Sequence, residues 1–368
     1  MQRWRADYFI SKVDHLVNIS RPAACLKHCH PAQKVVPLFR ESLPYAGLSY
    51  LSVARPSYKE EVSVRKLWEI IEEGSEVLYS SGNIELYPSL ESELPDLSWF
   101  VMDPSEPPVV MLWMGSKGVT APTHYDKSHN FFIQINGTKR FILSPPEEHN
   151  KLYLYPSLHP MRLQSQVDFW NVNRTKFNHF EEVLAYDVLL HPGDVLYLPP
   201  YWFHRVITEE PGIGLNIWST SLPMKIEKNY KNLPLPVSPT WSKEQIRVGL
   251  YMFFHSLLMD ILKHELAAQF FVQKMIDLQF TPVFGDIHIE VLICGFEGQY
   301  SFSKQSKEAI QQSAQIVAQQ FSGIDNPYIL ELELFTYIEK ATSVVLGAEL
   351  VYPFLRDCLY PFNLLQTQ

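Results

Sequence analysis

From residue 109 to about 220 the apolar positions come in short bursts rather than helical periods. VVMLWM (109–114), NFFIQI (130–135), RFIL (140–143), VLYL (195–198), FHRVI (203–207) and GLNIWS (214–219) are rich in β-branched and aromatic residues. Gly, Pro and Asn separate them. Asn136-Gly137 falls between two such runs and predicts a hairpin turn. His191-Pro192-Gly193-Asp194 predicts a second turn. Residues 109–222 therefore read as a mainly antiparallel β domain.

On either side the periodicity changes. Glu61–Leu78 spaces Val62, Val64, Leu67, Ile70 and Ile71 as one face of a helix. The first 60 residues give no clear period, and 1–108 is expected to form an N-terminal α/β segment packing on the β core. LPLPVSPTW (233–241) is rich in proline, so 223–241 reads as a linker. Ser242 with Gln245 resembles a capping box. It heads a long helical stretch, 242–278, apolar nearly all round through Val248, Leu250, Tyr251, Phe253, Phe254, Leu257, Leu258, Ile261 and Leu262. Such a helix needs burial on most sides, against the β domain, a second copy of the chain, or both. Helical stretches near 303–321 and 329–346 complete a C-terminal helical region, 242–368.

Composition narrows the class. A chain of 368 residues with 46% hydrophobic and 19% charged residues is long and apolar enough for a globular core. The net charge of −9 supplies no global basic field for a nucleic-acid backbone. The start, MQRWRADYFISKVDHL, carries charges where a secretory leader is apolar, and Val248–Leu262 is too short to span a bilayer. No membrane partner is expected, and the chain reads as cytoplasmic or nuclear. Cys25, Cys29, Cys294 and Cys358 form no regular framework and are expected to be reduced thiols. The sequons at Asn18, Asn136 and Asn173 then read as chance matches. CLKHCH (25–30) has residue types that suit zinc, but four ligands so close rarely reach one tetrahedron and no second half follows. There is no phosphate-binding glycine loop and no nucleophile elbow.

The chemistry concentrates in the β domain. His124 and Asp126, two apart, share one face of a strand. His204 begins a later strand, after Pro199-Pro200-Tyr201-Trp202. Two histidines and one carboxylate on barrel strands can occupy one face of an octahedral metal. The opposite face stays open, as in non-haem Fe(II) oxygenases, with room for a bidentate cosubstrate and O2.

The run PTHYDKSHNFFIQINGTKRFILSPP (122–146), followed by HPGDVLYLP and WFH, resembles the JmjC (cupin-type) Fe(II)/2-oxoglutarate oxygenases. LYLYPSLHPMRLQSQVDF (152–169) is similar to the asparaginyl hydroxylase that inhibits hypoxia-inducible factor. WFHRVITEEPGIGLNIW (202–218) is similar to the hydroxylase of tRNA wybutosine synthesis. The resemblance covers about a third of the chain. It implies a double-stranded β-helix (jelly-roll) core with flanking helices. It implies His124, Asp126 and His204 as iron ligands, and Lys139 as partner of the far carboxylate of 2-oxoglutarate. Asn130, Asn216 and Trp218 match positions lining the cosubstrate pocket. The family often has Thr three residues before the first iron histidine. Here that position is Ala121, and Thr120 and Thr123 are the candidate substitutes. The early strand that many relatives place before Trp4–Phe9 is not legible.

The resemblance also implies the reaction: 2-oxoglutarate and O2 give succinate and CO2 while a C–H bond is hydroxylated. The expected substrate is a protein side chain, with a modified tRNA base as the alternative and a homodimer through the C-terminal helices. Histone lysine demethylation and a non-catalytic JmjC interaction module are the remaining readings. No reader or zinc module of the larger demethylases is present, and the complete triad with Lys139 argues for catalysis.

Overall fold

The computed structural model describes residues 4–13, 15–22, 34–35, 40, 42–48, 51, 57–294 and 302–360. The CLKHCH segment lies outside them. Twelve strands are formed among the described residues: β1 (Leu16–Pro22), β2 (Lys34–Val35), β3 (Ser57–Ser63), β4 (Tyr79–Asn83), β5 (Val109–Gly115) and β6 (Val119–Tyr125), then β7 (His129–Asn136), β8 (Lys139–Ser144), β9 (Tyr186–Leu190), β10 (Val195–Leu198), β11 (Phe203–Thr208) and β12 (Gly212–Ser219). Helices α1 (Ala6–Lys12), α2 (Val64–Glu73), α3 (Pro88–Glu91) and α4 (His149–Leu152) accompany them.

The strands form two sheets. One has the order β10-β7-β12-β5-β4-β1-β3, the other β2-β6-β11-β8-β9. From β5 to β12 the chain distributes strands between the sheets as a double-stranded β-helix does, and the pairings among these eight are antiparallel; β2 joins β6 in parallel. The Asn136-Gly137 turn joins β7 to β8, with Gly137 at φ 69°. A side chain there would run into the Pro211 carbonyl, so only glycine fits.

One face of the seven-stranded sheet is dry. Val110, Leu112, Met114, Ile133, Ile135, Ile213, Leu215 and Ile217 are buried with Val64, Leu67, Trp68, Ile70 and Ile71 of α2. The helix predicted over 61–78 is shorter than expected: 57–63 is strand β3, and Ser63 caps α2 by accepting from the Lys66 N–H at 3.2 Å. Gly74, at φ 62°, ends it.

The chain divides into two compact units. The strand unit takes residues within 1–39, 54–152 and 163–221; the helical unit takes those within 40–53, 153–162 and 222–368. The expected division at 108/109 does not appear, because β1, β3 and β4 are hydrogen-bonded into the same sheet as β5. The expected linker 223–241 is also revised. Helix α5 (Leu222–Lys231) occupies its first half and buries Ile226 and Tyr230 in the helical core, against which Leu233, Leu235 and Trp241 also pack.

The helical unit continues with α6 (Lys243–Leu262), α7 (Glu265–Met275), α8 (Thr281–Phe284), α9 (Lys304–Phe321), α10 (Pro327–Leu346) and α11 (Val351–Pro353). The capping box at Ser242 and Gln245 is formed. The single helix expected over 242–278 is two. Lys263 adopts a left-handed conformation, φ 59°, and His264 Nδ1 accepts from the Leu266 N–H to start α7. The apolar girdle of α6 is buried within this unit, among α9, α10 and their neighbours. Cys294 and Cys358 are joined as a disulfide, their Cα atoms 5.5 Å apart, where reduced thiols were expected. No helix among the described residues is long and apolar enough to cross a membrane.

Candidate metal centre

Strands β6 and β11 place His124 and His204 as direct cross-strand partners, with ring centroids 4.2 Å apart. Asp126 follows just beyond the end of β6. Its backbone carbonyl accepts from the Tyr201 N–H at 2.8 Å, and Tyr201, fully buried at φ 66°, stacks on Tyr125. A tyrosine in this left-handed region is held there by its surroundings. One ligand atom from each of His124, Asp126 and His204 lies within 4.8 Å of the others.

The second atoms of these side chains are already engaged. His124 Nδ1 faces the Pro122 carbonyl at 2.7 Å, and His204 Nδ1 faces the Trp202 carbonyl at 3.1 Å. Each carbonyl requires a proton on Nδ1, which leaves the Nε2 lone pair as the metal-binding atom. Burial, then the neighbouring His124, push the His204 imidazole down to about 4, so it is neutral at physiological pH. His204 Nε2 stands 3.8 Å from Asp126 Oδ2, and Asn130 Nδ2 donates to that same oxygen at 3.3 Å. Asn216 Nδ2 in turn donates to Asn130 Oδ1 at 2.6 Å. Two imidazole Nε2 atoms and an oriented carboxylate make a set that fits a divalent transition metal with three protein ligands.

Strand register traces the surface behind this set. His204, Val206 and Thr208 alternate on one face of β11. The face continues across β8 to Leu143, Phe141 and Lys139. Across β6 it continues to His124 and, past a bulge that inserts one residue, to Ala121. On the other sheet the corresponding face carries Asn130 and Phe132 of β7, Gly214, Asn216 and Trp218 of β12, and Met111 and Trp113 of β5. Lys139 is buried, and burial lowers its ammonium to about 8. It has no hydrogen bond or ion pair among the described residues. Its Nζ stands 5.1 Å from the centroid of the Phe132 ring. An unpaired buried cation is costly, and the arrangement suits an anionic ligand.

The structure thus gathers Lys139, Asn130, Asn216 and Trp218 on the face that bears the metal set. Trp218 Nε1 is buried with no hydrogen-bond partner among the described residues. Thr120 is not on this face. The bulge turns it to oppose Ile207, where its hydroxyl reaches only the Gly118 carbonyl, at 3.4 Å. Thr123 lies in the bulge, with its Oγ1 buried and without a hydrogen-bond partner among the described residues. Sequence reading did not single out Gln164. It forms an isolated bridge with His124 and is almost fully buried; the QSQVDF segment was the signal. It also missed Phe132 and Trp113, whose apolar character reads only as strand core.

Comparison with known proteins agrees with this geometry. Residues 51–223 match the family described as a cupin-like domain. The chain is 34% identical over 109 residues to a Jumonji C domain-containing protein 5 of Drosophila melanogaster, a match covering 30% of this chain and 27% of that protein. It is 38% identical over 111 residues to the human tRNA wybutosine-synthesizing protein 5, covering 30% and 33%. It is 31% identical over 111 residues to a lysine-specific demethylase, JMJ31, of Arabidopsis thaliana, covering 30% and 20%. The chain thus spans a third or less of the length of these relatives. With the eight-strand core and the His124–Asp126–His204 set already in view, residues 51–223 match the cupin-like domain family and are similar to JmjC-domain proteins.

Proposed function

We propose that this chain is an Fe(II)- and 2-oxoglutarate-dependent oxygenase that hydroxylates a protein side chain. The observation that carries the reading is the pairing of a His–Asp–His set with a buried lysine that has no ion-pair partner among the described residues, on the same face. His124, Asp126 and His204 would hold the iron, and iron bound there with 2-oxoglutarate supplies the O2-activating oxidation of a C–H bond. The chain's own work is positioning. Asn130 and Asn216 fix the Asp126 carboxylate by relayed hydrogen bonds. Lys139 offers its charge to the far end of a dianion. Phe132, Phe141 and Leu143 keep that end dry.

A second reading, hydroxylation of a modified tRNA base, is supported by the similarity to the wybutosine-synthesizing protein. The net charge of −9 favours the protein substrate over a polyanion.

Anaerobic titration with Fe(II) and 2-oxoglutarate, followed by succinate measurement on admitting air, tests the reading. Saturable binding is expected, with slow succinate release that the His124→Ala variant loses. A folded wild-type chain that binds neither would sink it. Peptide and tRNA pools added to the active protein then separate the substrates, because the true one accelerates succinate release.

A further inference from the structure

Two indole donors on the inner face, those of Trp218 and Trp113, have no role in this reading. Trp113 lies on β5, and its indole Nε1 is buried with no hydrogen-bond partner among the described residues. An indole N–H can only donate, and a buried one without an acceptor is a standing penalty. The ring is held by a stack on Tyr79, with centroids 5.9 Å apart and planes at 30°. Ala121, on the facing sheet, offers no hydrogen-bonding group to the pocket.

Two lines of contact bring Trp113 to the deep end near Lys139. Gly115 is the next residue of β5 on the same face, and a Cβ there would stand 3.9 Å from Thr208 Oγ1. β5 and β11 therefore meet at that level. Two residues back along each strand, and so on the same two faces, come Trp113 of β5 and Val206 of β11, whose cross-strand partner is Ala121. Trp113 is also the direct partner of Gly214. The Phe132 ring lies against Gly214 and, on its other side, approaches the Lys139 ammonium. Trp113 is thus the strand neighbour of the glycine against which the lysine-facing ring lies.

We propose that Trp113 and Lys139 together seat the far carboxylate of the cosubstrate, the indole N–H supplying the hydrogen bond that Ala121 cannot. This rests on the oxygenase reading. It makes Trp113 a binding residue specific to the distal carboxylate, with no part in holding the chelating 2-oxo acid end.

The test uses the full chain loaded with redox-inert Zn(II) and two ligands, 2-oxoglutarate and 2-oxobutyrate. The second shares the 2-oxo acid head and lacks the far carboxylate. Calorimetry of Trp113→Phe should show 2-oxoglutarate binding weakened about tenfold, the loss of one charge-assisted hydrogen bond, with 2-oxobutyrate unchanged within about twofold. Adding Ala121→Thr to that variant should recover most of the loss. Independently of any variant's folding, the indole N–H spectrum of the [15N]tryptophan wild type should show a resonance moving with 2-oxoglutarate and not with 2-oxobutyrate. Unchanged 2-oxoglutarate affinity in Trp113→Phe, equal loss of both ligands, or no indole response overturns the proposal alone. A wild type that binds neither ligand overturns the oxygenase reading as well.

Discussion

Gly214 and Phe132 fit together as a hole and its filler. A Cβ on Gly214 would press on Phe132 Cζ and stand 3.0 Å from Cε2. The bare strand position therefore sets where the ring lies, and the ring lies 5.1 Å from the Lys139 ammonium. Gly214→Ala must push the ring off this position. A destabilisation of about 1–3 kcal/mol is expected from overpacking, with 2-oxoglutarate affinity falling several-fold. Thermal melting and calorimetry read the two effects. A variant that melts and binds like the wild type would show that the ring does not position the lysine.

Lys139 gives a pH-dependent prediction. Burial lowers its folded-state pKa to about 8 from 10.5. Between these values the unfolded chain holds the proton and the folded chain does not, so stability rises with pH through that window. Below about 8 the full penalty applies, on the order of 3 kcal/mol. Lys139→Met removes it. The variant is expected to melt higher than the wild type at pH 7.5, with the gap narrowing at pH 9.5, while 2-oxoglutarate binding is lost. A lower melting temperature at pH 7.5 would mean that the ammonium is stabilised in the ligand-free fold.

The clustering of His124, Asp126 and His204 was legible in the sequence because its information is local. His124 and Asp126 share a face by strand parity, and His204 sits in a turn-bounded strand of its own. Parity also misled. It cannot register the extra residue between Ala121 and His124, which turns Thr120 away from the pocket and keeps Ala121 on it. Trp113, Phe132 and Gly214 acquire their roles only through pairing of β5, β7 and β12, which no spacing along the chain encodes. In the helical region, the break between α6 and α7 falls at Lys263-His264, a pair without glycine or proline to announce it. The proline content of 233–241 was read correctly as irregular, but its influence was extended too far back, over α5.

Glu339, on α10, is fully buried and accepts the backbone N–H groups of Ser157 and Leu158 at 2.6 and 2.7 Å. Burial pushes its carboxyl up to about 7 against the pull of those donors. Removing the acceptor strands two buried N–H groups, each costing about 1–3 kcal/mol. Glu339→Ala is therefore expected to destabilise the helical unit by about 2–5 kcal/mol, and Glu339→Gln, which keeps one acceptor, by roughly half as much. Urea unfolding followed by far-ultraviolet circular dichroism checks both. Equal midpoints for the wild type and the alanine variant would show that the 153–162 segment is held by other contacts.

Cys294 and Cys358 lie 64 residues apart in sequence, and both are buried. Closing a loop of that length restricts the unfolded chain by about 4 kcal/mol in the chain-entropy account. For a unit of this size that corresponds to a fall in melting temperature of about 10 °C when the bond is absent. Cys358→Ser should therefore melt lower than the wild type without reductant. Dithiothreitol should lower the wild type to the same value and leave the variant where it is. Mass spectrometry after alkylation under denaturing, non-reducing conditions counts the thiols directly, and neither Cys294 nor Cys358 should be modified. Modification of both, together with identical melting of wild type and variant, would restore the reading of reduced cysteines and leave the 5.5 Å Cα separation as close packing alone.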